Sequence, residues 1–244
     1  IIKSFFAPAE GINPNEIYSV AIMPCVAKKF EAQREEMTQK AISDVDAVIT
    51  TRELARLIRL YGIDIHSTEP QQPDSPLGMR SSAGKLFGTS GGATEGIFRT
   101  LHYYMTGKEM QQPKIADLRS NGAIKEIELK IGNKKLTAIL VSGMGNIRPL
   151  LDSVAAGEVK AHFIEVMACP GGCVNGGGQP FGSSEKDVKA RAKSIYEIDE
   201  VETIKVAHKN PMVTDMYERF LEAPGSDLSK KYLHTRYTKR DVLM

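Results

Sequence analysis

The chain has 244 residues with average apolar and charged fractions and a formal charge of +2. That length allows one large domain or two closely packed lobes, and the near-neutral charge leaves no basic excess for neutralising nucleic-acid phosphates. No apolar run approaches the roughly 20 residues of a membrane span.

The opening Ile1-Ile2-Lys3-Ser4-Phe5-Phe6 has neither an initiator Met nor a signal pattern. It reads as an internal start, with a cytoplasmic location expected. Residues 17–23 form a short β-branched run after Gly11 and Pro14 and predict a buried strand ending at Pro24-Cys25. A polar, helix-favouring stretch follows over 27–40. Ala47-Val48-Ile49 predicts a second strand, and Thr50-x-x-Glu53 is a capping box opening a helix over 52–60 that stops at Gly62. Residues 66–82 carry Pro70, Pro73 and Pro76 and predict a loop. Next, Gly84-Lys85-Leu86-Phe87-Gly88-Thr89-Ser90-Gly91-Gly92 feeds a long helix ending near Gly107. Residues 124–131 and 136–141, split by Gly132-Asn133, predict a hairpin. A helix over 146–156 and a strand over 162–167 follow, the strand running into a second cysteine loop. From Ser183 the pattern is helical and charged, and Asn210-Pro211 starts a helix that Pro224-Gly225 ends. Strands alternating with helices predict an α/β fold: a mostly parallel sheet flanked by helices, active-site loops at strand C-terminal ends, and a helical C-terminal region.

The three cysteines do not form an even disulfide framework. Inert thiols, a reactive thiol or metal ligands remain. Cys25 lies in Met23-Pro24-Cys25-Val26-Ala27-Lys28-Lys29-Phe30-Glu31. Cys169 and Cys173 lie in Ala168-Cys169-Pro170-Gly171-Gly172-Cys173-Val174-Asn175-Gly176-Gly177-Gly178-Gln179-Pro180. Both loops follow predicted strands, where α/β sheets bind ligands. Soft thiolates suit iron–sulfur clusters, and the glycines allow close backbone approach to a bulky group. Lys28 and Glu31 share a face if the stretch is helical, so an ammonium held by a carboxylate would stand beside an anionic cluster. Singly, each feature has a bland reading: Met-Pro-Cys as core packing, Cys-x-x-x-Cys as a zinc or redox pair, the glycine run as a plain loop. Together they favour a metal site.

Met-Pro-Cys-x-x-Lys-x-x-Glu at 23–31 and Glu-x-Met-Ala-Cys-x-x-Gly-Cys-x-x-Gly-Gly-Gly-x-Pro at 165–180 resemble the second and third signature motifs of the FeFe-hydrogenases. Phe87-Gly88-Thr89-Ser90-Gly91-Gly92, Gly143-Met144-Gly145-Asn146 and Leu233-His234-Thr235-Arg236-Tyr237 are also similar to that family. The resemblance implies that residues 1–244 are the C-terminal portion of a catalytic domain that reversibly reduces protons to dihydrogen in anaerobic hydrogen metabolism. It implies Cys25, Cys169 and Cys173 as ligands of a 4Fe-4S cubane, with Cys173 bridging to a two-iron subcluster that has CO, CN and dithiolate ligands, together the H-cluster. Lys28 would hydrogen-bond a cyanide, supported by Glu31. Met23 and Met167 would pack on the two-iron site, Phe87 and Gly88 would line its pocket, and Gly172 and Gly176 would let the backbone approach.

The family's first motif, Thr-Ser-Cys-Cys-Pro, is absent and is expected upstream. The fourth cubane ligand and the proton-passing cysteine would then come from the rest of a longer chain or a companion chain. The expected partners are ferredoxin or NADH-dependent electron-transfer subunits and maturation proteins. A non-catalytic iron–sulfur relative of the assembly or prelamin-recognition type and a sensory hydrogenase are the alternatives. The five histidines are expected to be structural or surface residues.

Overall fold

In the computed structural model, residues 1–39, 41–120 and 122–238 are described. After a short helix, α1 (Ala7–Ala9), the first strand β1 (Val20–Met23) leads to helix α2 (Ala27–Glu31). Two-residue strands β2 (Thr38–Gln39) and β3 (Ile42–Ser43) pair with each other, and β4 (Ala47–Thr50) runs into α3 (Thr51–Leu60). Next come α4 (Ser82–Leu86) and α5 (Gly92–Thr106), the hairpin β5 (Ile124–Ile131) and β6 (Lys134–Ser142), then α6 (Ile147–Ala155) and β7 (Phe163–Met167). Helices α7 (Glu185–Val201), α8 (Pro211–Met216) and α9 (Asp227–Leu233) complete the C-terminal region.

The fold is mixed α/β, with parallel strands flanked by helices and the two cysteine loops following strands β1 and β7. β1 pairs parallel to β4, and β6 pairs parallel to β7, while β5 closes the second sheet as the antiparallel arm of a hairpin. β6 is the buried centre. Ala138 and Leu140 face a cluster with Phe98, Leu118, Ile127, Leu129 and Ile131, and Ile139 and Val141 face Leu150 of α6 on the other side. A strand covered on both faces reads as a continuous apolar run, as Leu136 to Val141 does. β5 alternates, burying only Ile127, Leu129 and Ile131, because one of its faces meets solvent.

A buried ionic network ties the C-terminal helices to this core. Arg99 of α5 donates to both carboxylate oxygens of Asp199 of α7 at 2.8 Å and to Glu95 at 2.8 Å. Arg119 bonds the same two carboxylates, and Ser82 donates to Asp199 at 2.5 Å. Losing one member of such a set strands buried charge, at a cost of about 3–5 kcal/mol.

Three sequence expectations change in detail. The strand expected to be buried over 17–23 forms over Val20–Met23 with Val20 and Ile22 about half exposed, because among the described residues β1 pairs with β4 alone and one of its faces is left uncovered. The polar stretch after Cys25 is α-helical only over Ala27–Glu31; a single 3-10 turn over Glu35–Met37 and the β2–β3 pairing follow, and Lys40, the last residue of the expected helix, lies outside the described residues. Arg34 explains the early end: its guanidinium reaches Arg236 O at 2.5 Å and stacks on Tyr237 at 4.7 Å, drawing the chain toward the C-terminal segment. The helix opened by Asn210-Pro211 gives way to a wider turn over Tyr217–Leu221 and stops at Glu222, which has φ 65°, before Pro224.

Candidate metal centre

Cys25 leaves β1 just past Met23, whose register partner on β4 is Thr50. Cys169 leaves β7 just past Met167, partner of Ser142 on β6. The two strands belong to different sheets, and their loops meet through backbone. Gly178 N donates to Pro24 O at 2.9 Å. A Cβ added at Gly176 would lie 1.9 Å from Pro24 O, and one at Gly178 would lie 2.8 Å from Cys25 N. Only hydrogen fits at these positions, which is the physical content of the glycine run.

Residues 87–92 form the third wall. Val174 N donates to Gly88 O at 3.0 Å, and Ser90 N donates to Gly171 O at 3.1 Å. A Cβ on Gly172, whose φ is 100°, would sit 2.7 Å from Ser90 N. Phe87 is about half exposed at the edge of this wall, and Met23 and Met167 are half-buried. The wall is fixed from below by Glu165, a buried carboxylate on β7 that accepts from Gly91 N at 2.5 Å and from Thr94 N and Oγ1 at 2.8 Å each. Those amides lie at the N-terminus of the 15-residue α5, where a negative charge is stabilised. Ser142 Oγ accepts from Gly171 N at 2.7 Å and holds the second cysteine loop in turn.

All three cysteines are free thiols, Cys25 and Cys169 half-buried and Cys173 reachable by solvent. Cys173 nevertheless lies low among the loops. Burial raises its pKa, the neighbouring Cys25 and Cys169 raise it further, and Lys28 opposes them. Cys25, Cys169 and Lys28 thus each act on the Cys173 thiol. Lys28 is held by Glu31, with Nζ 2.8 Å from Oε1 and 2.7 Å from Oε2.

The donor set fits an iron–sulfur cluster. Among the described residues no three His, Cys, Asp or Glu side chains are grouped as they would be around a single metal ion. Thiolates are the ordinary ligands of iron–sulfur clusters. The histidines stand apart: His208 bonds Glu109 and Thr100 and stacks on Tyr103, His162 accepts from Thr137 N, and His102 bonds Lys108 O.

The sequence pattern assigns no roles to Glu165, Ser142 and Arg52. A carboxylate inside an apolar strand is a usable signal for Glu165. Arg52, whose guanidinium bonds Gly177 O and Gln179 O, gives none.

Residues 1–177 match the model of the iron-only hydrogenase large subunit, C-terminal domain, and residues 185–240 match that of the iron hydrogenase small subunit. The NADP-reducing hydrogenase subunit HndD of Solidesulfovibrio fructosivorans is 39% identical over 244 residues, which is 100% of this chain and 42% of that protein. Protein NAR1 of Arabidopsis thaliana is 33% identical over 252 residues, 97% of this chain and 53% of its own. Among solved structures, apo [FeFe]-hydrogenase HydA1 from Chlamydomonas reinhardtii aligns with a TM-score of 0.81 at 31% identity, covering 97% of this chain and 66% of that one. The chain thus spans about two fifths to one half of the length of these curated relatives.

Proposed function

The chain belongs to the iron-only hydrogenase family, and we propose that Cys25, Cys169 and Cys173 hold a 4Fe-4S cubane, with Cys173 also bridging to a two-iron subcluster of an H-cluster. The observation that carries this reading is the Lys28–Glu31 pair, 2.7 Å apart, whose ammonium acts on the Cys173 thiol. A cation that acts on the Cys173 thiol favours an anionic group bound there.

When bound, the two-iron group supplies the chemistry of reversible proton reduction to dihydrogen. The chain's own share is to hold and shape. The three thiolates would hold the cluster, and Lys28, kept in place by Glu31, would donate hydrogen bonds to it. Met23 and Met167 exclude water at the strand ends, and Phe87 with Gly88 lines the third side. Gly172 and Gly176 allow the loops to close around it.

Residues 1–244 act together as the C-terminal portion of one catalytic domain, with both matched segments contributing to the site: Arg191 of α7 donates to Val174 O at 3.0 Å. Three cysteines leave the usual set of four thiolates one short, so the fourth comes from the remainder of the assembled protein or a companion chain, and these 244 residues alone evolve no hydrogen. Val20 and Ile22 of β1, about half exposed beside Cys25, suit burial by that remainder. A bound cubane would exchange electrons with a ferredoxin or nicotinamide-linked subunit, and maturation proteins would supply the two-iron group. Among the described residues no helix is long and apolar enough to cross a membrane.

The likeness to NAR1, and to the cytosolic Fe-S cluster assembly factor of Xenopus tropicalis at 33% identity, favours a second reading: a cluster-holding protein without a two-iron group. Anaerobic reconstitution with iron and sulfide, followed by maturation of the longer protein, separates the two. The hydrogenase reading expects cluster absorbance that fails in each cysteine variant, then hydrogen evolution after maturation. Cluster uptake with no evolution by the matured longer protein would leave the assembly reading standing.

A further inference from the structure

Cys25 and Cys173 come from two sheets that no strand joins among the described residues. Their relative position rests on the contact between the 176–178 glycine run and Pro24–Cys25. Glycine backbone is the most freely rotating in the chain, so a loop of three consecutive glycines needs outside restraint to present a ligand reproducibly.

We propose that Arg52 is that restraint: a positioning residue that locks the Cys25 loop to the Cys173 loop, an inference resting on the reading of these cysteines as joint cluster ligands. Arg52 occupies the first turn of α3, directly after β4, and β4 is in register with the strand carrying Cys25, Met23 opposite Thr50. From there it binds three successive carbonyls of the glycine loop. Its backbone N donates to Gly178 O at 3.1 Å, and its Nη1 donates to Gly177 O at 2.7 Å and Gln179 O at 2.6 Å. The guanidinium also lies 3.9 Å from the ring centroid of Phe181, just past the loop. Charge-assisted donors on neutral carbonyls are stronger than neutral ones, and the planar group gains further from the aromatic face. The line of connection therefore runs from Cys25 through Met23, Thr50 and Arg52 to residues 177–179 and back to Cys173.

The test needs no iron, so it is independent of whether a cluster binds. The chain with its thiols reduced is treated with a short bifunctional thiol reagent, and the Cys25–Cys173 and Cys169–Cys173 cross-links are mapped by peptide mass. Arg52→Met keeps the stem and removes the donors. It removes both Nη1 hydrogen bonds and is expected to slow the inter-loop cross-link at least about tenfold, the loss that a single charge-assisted bond already accounts for, while the Cys169–Cys173 cross-link within one loop is unchanged. Arg52→Lys, whose ammonium can serve two carbonyls, restores most of the inter-loop rate. An inter-loop rate unaffected in Arg52→Met, or a parallel fall in both cross-links with circular dichroism unchanged, overturns the proposal. If Arg52→Met does not fold, Arg52→Gln is read instead: one remaining side-chain donor predicts an intermediate rate, and a rate equal to the parent's overturns it.

Discussion

The amide of Gly178 donates to the carbonyl of Pro24 at 2.9 Å, with no room between the two loops for a methyl group. A Cβ there would meet Cys25 N and Pro24 C at 2.8 Å, both backbone atoms that cannot swing aside. Gly178→Ala should therefore cost about 1–3 kcal/mol and lower the thermal midpoint by about 2–4 °C per kcal/mol. It should also reduce the iron retained after reconstitution. A variant that melts and loads like the parent would show that the loops are not in this contact.

Glu165 bears on the third wall. Its carboxylate accepts from Gly91 and Thr94 at the start of α5, and a hydrogen bond to a charged group contributes about 1.5–3 kcal/mol. Glu165→Gln keeps the shape but loses the charge and one acceptor. We expect a loss of this size in urea unfolding, together with faster amide exchange at Gly91 and Thr94. Unchanged exchange at those two amides would contradict the role.

Much of the site is legible in the sequence because its signals are local. Cys25, Cys169 and Cys173 lie directly after apolar runs that become β1 and β7, and Thr50 with Glu53 forms the capping box their spacing announces. The Lys28–Glu31 pair needs only one helical turn, and α2 supplies it. What is not legible depends on distant partners. Arg52 meets carbonyls about 125 residues away, and Arg99 meets Asp199 100 residues on. No periodicity encodes such pairings. The helix expected over 27–40 falls short for the same reason, since the contact of Arg34 with Arg236 decides where it stops.

The Asp199 network has a pH signature. Burial pushes the Asp199 carboxyl up, but hydrogen bonds from Arg99, Ser82 and Arg119 outweigh it and hold the group well below the ordinary carboxylate range. A carboxyl depressed in the folded state adds stability above its unfolded pKa, near 3.9, and loses it as pH falls through the folded value. Ser82→Ala removes one of those bonds, so its deficit should be about 1 kcal/mol at pH 6 and persist at pH ~3, where Asp199 stays ionised in the folded protein. Urea midpoints at both pH values measure it. A deficit that vanishes by pH ~3 would mean that Asp199 titrates in the ordinary carboxylate range and is not held by these bonds.

Lys28 separates site from scaffold. Its pair with Glu31 is well exposed, with side-chain accessibilities of 44% and 39%, and such pairs contribute at most about 1 kcal/mol to stability. Lys28→Met should leave the thermal midpoint of the apo chain nearly unchanged. In the matured longer protein it should cut hydrogen evolution by two orders of magnitude or more, roughly the loss of one preorganised donor. A large fall in midpoint with activity preserved would assign Lys28 to the scaffold instead.

The proposed role of Cys173, joining a cubane to a two-iron group beside Lys28, is open to a direct spectroscopic check. The infrared spectrum of the matured longer protein is recorded with and without Cys173→Ala. The parent should show the carbonyl and cyanide stretching bands of the two-iron group, and the variant should lose them. Bands unchanged in Cys173→Ala, or absent from the matured parent, would contradict the assignment.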